Sequence, residues 1–165
     1  MGISEIDLAH LRRCVELARE ALDDGDEPFG SVLVSRDGEV LFEDRNRVKD
    51  GDQTRHPEFE IARWAGTHLP PEQRADTTVY TSGEHCPMCS AAHAWVGLGR
   101  IVYAASSAQL RTWLDSWGAG PSPVTGLPIG TVAPGIPHDG PVPELQDEVR
   151  ELHRRFFAAH HGANG

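Results

Sequence analysis

His56-Pro57-Glu58 and, further along, Cys86-Pro87-Met88-Cys89 are the two stretches on which the reading of this chain turns. One histidine and two closely spaced cysteines make three zinc ligands. That is the number a catalytic zinc site takes from the protein, with the fourth position left to water. Glu58 follows the histidine by two residues and can stand beside that water without binding the metal. The CxxC spacing lets both sulfurs reach one ion from a single helical turn. If His56 opens one helix and Cys86 and Cys89 open another, the positive ends of two helix dipoles meet there and favour thiolates.

Two blander readings stand beside this one. A CxxC in a reducing compartment also serves as a redox pair. A structural zinc site needs a fourth protein ligand, for which His85 is the obvious candidate and His93 the next. Neither accounts for a glutamate at that step from a distant histidine. Alone, an HxE triplet means almost nothing; joined to the later CxxC in an α/β setting it is specific.

Working outward, Ser4 reads as an N-cap with Glu5 and Asp7 in the first turn. Leu8, Leu11, Val15, Ala18 and Leu22 then recur at helical spacing up to Gly25. Residues 29–35 and 39–42 are β-prone and flank Arg36-Asp37-Gly38, a hairpin signal. A second helix is expected from Pro57 to His68, with proline at its first position and Leu69-Pro70-Pro71 after it. Strands follow at 77–81 and 101–105, helices at 86–96 and 109–117. Trp64 and Trp95 fall on these helices and are expected in the core, as is Cys14. Alternating strands and helices predict an α/β sandwich, the hairpin giving antiparallel edge strands and the later crossovers running parallel. Residues 118–143 are rich in Gly and Pro and are expected to be irregular, in the manner of a lid. A charged amphipathic helix is expected at 144–159, with a loose tail from His160 to Gly165.

The 165 residues suit one domain, and a hydrophobic content of 39% suits a soluble globular protein. No apolar run reaches membrane-spanning length, and the first residues lack the regions of a signal peptide, so the expected address is the cytoplasm. Three cysteines without a secretory signal argue against a disulfide framework. A net charge of −10 opposes a polyanionic nucleic-acid partner and suits a small substrate.

With these residues in view, the chain resembles the cytidine-deaminase-like superfamily, most closely its branch of guanine deaminases and tRNA adenosine deaminases. The matching stretches are Pro28-Phe29-Gly30, Asn46, His56-Pro57-Glu58, Thr81-Ser82-Gly83-Glu84, Cys86-Pro87-Met88-Cys89, Ala92 and Ile101-Val102-Tyr103-Ala104, in order over residues 5–117. The arrangement H-x-E…P-C-x-x-C is the signature of zinc nucleobase deaminases. The resemblance implies a three-layer α/β/α sandwich with a mixed five-stranded sheet, one Zn2+ per chain and a homodimer. His56, Cys86 and Cys89 look like its ligands and Glu58 like the proton shuttle. Zinc would lower the pKa of its water to give hydroxide. Glu58 would take the water proton and deliver it first to a ring nitrogen and then to the departing amine. Asn46 looks like the amide that hydrogen-bonds the base, or else caps a turn, and Phe29 like a pocket wall.

Two departures bear on the substrate. Pro57 offers no backbone N–H where some relatives use one. His85 stands where proline is usual and is read as touching substrate or packing. Within the enzyme class a guanine-like purine is favoured, because Trp113-Leu114-Asp115-Ser116-Trp117 resembles an acidic-aromatic patch over a purine pocket. There Asp115 would accept from the base, and Trp113 or Trp117 would stack on it. That stretch also reads as a plain helix with buried indoles. Cytosine or another amino-heterocycle is the alternative. A tRNA adenosine substrate, faintly echoed in Arg154-Arg155-Phe156-Phe157, is opposed by the charge balance.

Overall fold

The computed structural model describes residues 2–161. Ser4 caps the first helix, α1 (Glu5–Asp23), as a capping box: its hydroxyl accepts from the Asp7 N–H (3.1 Å) while the Asp7 carboxylate accepts from the Ser4 N–H (2.9 Å). Gly25 follows at φ +93°, where a left-handed backbone ends the helix and sends the chain into β1 (Gly30–Val34). The hairpin loop closes through Ser35 N–H to Glu39 O (2.8 Å), and β2 (Val40–Arg45) returns antiparallel to β1.

Then come α2 (Pro57–His68), a short α3 (Pro71–Arg74), β3 (Thr78–Gly83), α4 (Pro87–Val96), β4 (Arg100–Ala105) and α5 (Ser107–Ser116). After these the chain forms α6 (Ile129–Val132), β5 (His138–Asp139), a 3₁₀ turn (Pro143–Leu145) and α7 (Gln146–His161). The sheet order is β2-β1-β3-β4-β5; β1 is antiparallel to β2 and β3, while β3, β4 and β5 are parallel. This is the mixed five-stranded α/β sandwich expected. Only β2 of the hairpin is an edge; β1 is interior and wholly buried.

Period-2 alternation sorts the strand side chains into two layers. Val32, Val34, Tyr80, Val102 and Ala104 pack with α1 and α7. Leu33 and Val79 pack with Ile61, Ala62 and Ala65 of α2 on the opposite face. Farther along that face Ile101 and Tyr103 close on Ile129 of α6. Gly30 is fixed by a close approach: a Cβ there would lie 2.4 Å from the Cys14 carbonyl oxygen and 2.5 Å from the Leu17 Cβ. Cys14 is accordingly a buried core residue.

Three expectations need correction. The segment 118–143 is not irregular throughout: it carries α6 and supplies β5, whose two residues pair with Ile101 and Val102. A strand that short shows no alternation to read. Trp95 is not in the core but 88% exposed, because α4 turns its other faces to α2 and α6. Trp64, by contrast, packs partly buried at the edge of the α2 cluster, stacked between Phe42 and His68. The last helix runs on through His160 and His161, and residues 162–165 lie outside the described region.

Candidate active site

The C-terminal ends of β3 and β4, with the start of β1, form one end of the sheet, and the N-termini of α2 and α4 converge there. His56 is the N-cap of α2 and Cys86 the N-cap of α4, with Pro57 and Pro87 at the first helical positions. Proline fits there because its missing N–H has no intrahelical acceptor. His56 Nδ1 lies 3.5 Å from Cys86 Sγ and 3.6 Å from Cys89 Sγ. These three ligand atoms lie within 4.8 Å of one another. The Cys89 N–H, free at the helix N-terminus, points at Cys86 Sγ (3.4 Å). Among the described residues no other His, Cys, Asp or Glu joins this cluster. Two thiols and an imidazole nitrogen converging at helix N-termini are a fitting donor set for zinc, with one position open.

The local electrostatics favour thiolate at this cluster. Cys86 is held down to about 4 by the Cys89 thiol, by His56 and by the Cys89 N–H, against the opposing effect of burial. Its thiolate in turn raises His56 to about 9. Cys89, hydrogen-bonded to that thiolate and buried, is pushed well up. The two sulfurs and the imidazole thus titrate as one coupled set, in which Cys86 is the favoured thiolate.

Glu58 sits on the first turn of α2, only 6% exposed. Thr81 Oγ1 donates to its Oε1 (2.8 Å), and Ser31 Oγ lies 3.2 Å from the same oxygen and 2.9 Å from Thr81 Oγ1. Burial pushes the Glu58 carboxyl up, partly offset by the charge on His56. The result is a carboxyl group fixed in place and biased toward holding a proton.

Glu58 and His56 line a cavity of about 490 Å³, mostly apolar, whose walls include Phe29, Asn46 and His153. Asn46 is 2% exposed, and its Oδ1 accepts from the Val48 N–H (3.1 Å). It therefore caps a turn and lines the cavity at once, and its amide NH₂ is the donor it has left to offer. Residues of the 118–143 segment, Ser122 and Val124 to Gly126, close one side. Glu84 anchors that side: its carboxylate accepts from the Ser107 N–H at the start of α5 (3.0 Å) and the Ile129 N–H at the start of α6 (2.9 Å).

The remaining candidates lie elsewhere. His85 does not line the cavity: it is fully buried, edge-on to His93 at 5.4 Å, with neither ring nitrogen bonded. Burial and the neighbouring His93 push it well down, so it stays neutral. Neither it nor His93 reaches the ligand cluster. Asp115 also lies outside the lining, exposed and paired with Arg111 at 2.6 Å. Trp113 packs partly buried against the core, and Trp117 pairs with Phe157 and Arg150. Helical spacing explains the difference: the apolar side of α5 that faces the cavity carries Leu110 and Leu114. Ser31, Thr81 and His153 received no role from the sequence. Ser and Thr in buried strands give no pattern, and His153 sits in a stretch that reads as a plain amphipathic helix.

Residues 4–105 match the model of the cytidine and deoxycytidylate deaminase zinc-binding region. Over 111 residues the chain is 40% identical to a probable cytosine deaminase of Schizosaccharomyces pombe, covering 66% of this chain and 65% of that protein. Over 97 residues it is 40% identical to the guanine deaminase of Bacillus subtilis, covering 58% of this chain and 62% of that one. The matched region thus spans a little under two thirds of either relative. The solved guanine deaminase from Nitrosomonas europaea superposes with a TM-score of 0.68 over 96% of this chain and 87% of its own; at 23% identity that likeness concerns the fold.

Proposed function

The chain belongs to the cytidine and deoxycytidylate deaminase zinc-binding family, and we propose that it is a hydrolytic deaminase of a small amino-substituted nucleobase or nucleoside. The observation that carries this is Glu58, a buried carboxyl beside the ligand cluster on the wall of an apolar cavity. Bound by His56, Cys86 and Cys89, zinc supplies Lewis acidity toward water. Glu58 does the proton work. It accepts a proton from the attacking water and passes it to the ring nitrogen beside the amino-bearing carbon, then takes the second proton from the hydroxyl now on that carbon and gives it to the departing amine, so that ammonia leaves and a carbonyl remains. A carboxyl whose pKa is raised by burial can both take and return a proton. Thr81 and Ser31 fix one of its oxygens, so the other is the one that swings between water and ring. Asn46 orients the ring from the side, and Phe29 supplies an aromatic wall.

A purine or a pyrimidine enters a cavity of this volume with room to spare. A guanine-like purine rests on the relatives alone, since Asp115 and the two tryptophans that favoured it stand off the lining. A homodimer and a cytoplasmic address belong to the same proposal; among the described residues no helix is long and apolar enough to cross a membrane. The test is ammonia release by zinc-loaded protein from guanine, adenine, cytosine and their nucleosides. Release from one of them, lost in Glu58→Gln with zinc content unchanged, is the expected result. Release that persists in the variant would refute the mechanism.

A further inference from the structure

His153 is a buried polar group that no described residue hydrogen-bonds and that lines the cavity. It lies on α7 beside Val149 and Leu152, the two apolar residues that anchor that helix in the core. At 6% exposure it is as buried as Glu58. Its ring stands edge-on to Phe29, with centroids 5.0 Å apart, and lies 6.5 Å from the ring of Trp113. No side chain or backbone group among the described residues hydrogen-bonds either ring nitrogen, and no charged group lies against the ring. Burial alone pushes its pKa down to about 4, so at neutral pH it is an uncharged imidazole with one N–H donor and one bare acceptor.

The comparison with His85 is instructive. His85 is also unpartnered, but both its nitrogens are sealed in protein. The nitrogens of His153 are not sealed, and the ring forms part of the lining of the catalytic cavity together with Phe29 and Asn46. Leaving a buried polar group unpaired costs about 1–3 kcal/mol. A leucine in its place would remove that cost, so the imidazole is explained by something that occupies the cavity.

We propose that His153 is a substrate-contacting specificity residue that hydrogen-bonds the edge of the bound heterocycle remote from the reacting carbon. This rests on the deaminase reading above and names how the same site chooses its ring. The reacting carbon must lie near Glu58 and the ligand cluster. The far edge of a planar amino-heterocycle then presents a carbonyl, a bare ring nitrogen or a ring N–H. A neutral imidazole answers either kind through its choice of tautomer. Being uncharged, it selects an uncharged ring edge, whereas a carboxylate would select only donors.

The experiment uses the zinc-loaded full chain carrying Glu58→Gln, which can hold a substrate without consuming it. Cytosine, guanine, adenine and their ribonucleosides are titrated calorimetrically, alone and with His153→Leu or His153→Gln added. The expected result is about a tenfold loss of affinity for the preferred compound in His153→Leu, with much of it restored by Gln, which keeps a donor and an acceptor. Zinc content stays unchanged, and the melting temperature of His153→Leu is equal to or above that of the parent. In the active protein, His153→Leu raises KM about tenfold and changes kcat less than threefold. Unchanged affinity and KM in His153→Leu, or a fall in melting temperature as the sole effect, would overturn the inference while leaving the deaminase reading standing. Binding that depends on His153 in a protein that releases no ammonia would do the reverse. No binding by any compound of the panel would overturn both.

Discussion

The two ends of the sheet treat their buried polar groups in opposite ways. Where β3 and β4 begin, Asp7 accepts from the Ser4 N–H, from Tyr80 Oη (2.7 Å) and from both terminal nitrogens of Arg100 (3.0 and 3.2 Å). Arg100 Nε also donates to Asp139 of β5 (2.9 Å), so one guanidinium ties helix, sheet centre and sheet edge together. Where the same strands end, Cys89, Glu58 and His153 are buried and His56 and Cys86 half-buried, and among the described residues their side chains meet only one another, two hydroxyls or no hydrogen-bonding group. The first end has its needs met by the protein. The second turns its ligand atoms, a carboxyl and an imidazole toward one cavity. A fold tied down at one end tolerates such a deficit at the other.

The contrast is broken or upheld first at Glu58. Glu58→Gln should lower kcat about 10³-fold, equivalent to about 4 kcal/mol of barrier. Calorimetric melting should show no loss of stability, because the amide keeps the acceptor for Thr81 and removes a carboxyl that burial disfavours in its charged form. A marked drop in melting temperature would mean that the site end is as fully satisfied as the other.

The next effect in size concerns the joint between α1 and β1. Gly30→Ala drives a methyl group into α1, against the Cys14 carbonyl oxygen, the Ala18 nitrogen and the Leu17 Cβ, and denaturant unfolding should show a loss of about 3 kcal/mol. A loss below about 1 kcal/mol would show that α1 can slide.

At the opposite end, Asp7→Asn should lower stability by about 2 kcal/mol at neutral pH and leave turnover unchanged. Burial pushes the Asp7 carboxyl up, but Arg100, the Ser4 N–H and Tyr80 outweigh it and hold the group at about 2. A folded-state value below the unfolded one means that the contribution is complete above about pH 4 and fades as the pH falls toward 2. Unfolding curves of parent and variant should therefore converge across that window. Parallel curves down to pH 2 would place the stabilisation elsewhere.

The same division governs how much the sequence discloses. The convergence of His56, Cys86 and Cys89, and the positions of Glu58, Asn46 and Phe29 on the cavity wall, are legible because covalent spacing on helix starts and turns fixes them locally: His56 and Glu58 share a first turn, and Cys86 and Cys89 another. The α/β order is legible because the helices repeat at 3.6 residues and the strands sit between them. What pairs across long sequence distances is not legible. Asp7 with Arg100 and Glu84 with Ile129 leave no local trace, and β5 is two residues whose only signature is the partner strand. Asp115 and Trp113 misled for a related reason. Composition made them attractive, but the rotation of α5 about its axis, set by how it packs on α7, decides which of its residues face the cavity.

Glu84 sharpens the comparison because it lies at the site end yet is bonded like the other. Its two carboxylate oxygens are each taken by a backbone N–H at the start of a helix, α5 and α6. It lines the cavity, but both its oxygens are already held by backbone donors, so its first task is to fix those two helix starts. Glu84→Gln keeps one acceptor and turns an amine toward the other N–H, so one charge-assisted bond is lost and a repulsive contact is made. The expected cost is about 1.5 kcal/mol, the smallest of this series, with KM raised no more than threefold. Denaturant unfolding and steady-state kinetics on the same preparation separate the two effects. If stability held and KM rose tenfold or more, Glu84 would be a substrate-binding group, and the line between a paired frame and an unpaired site would have to be redrawn through β3.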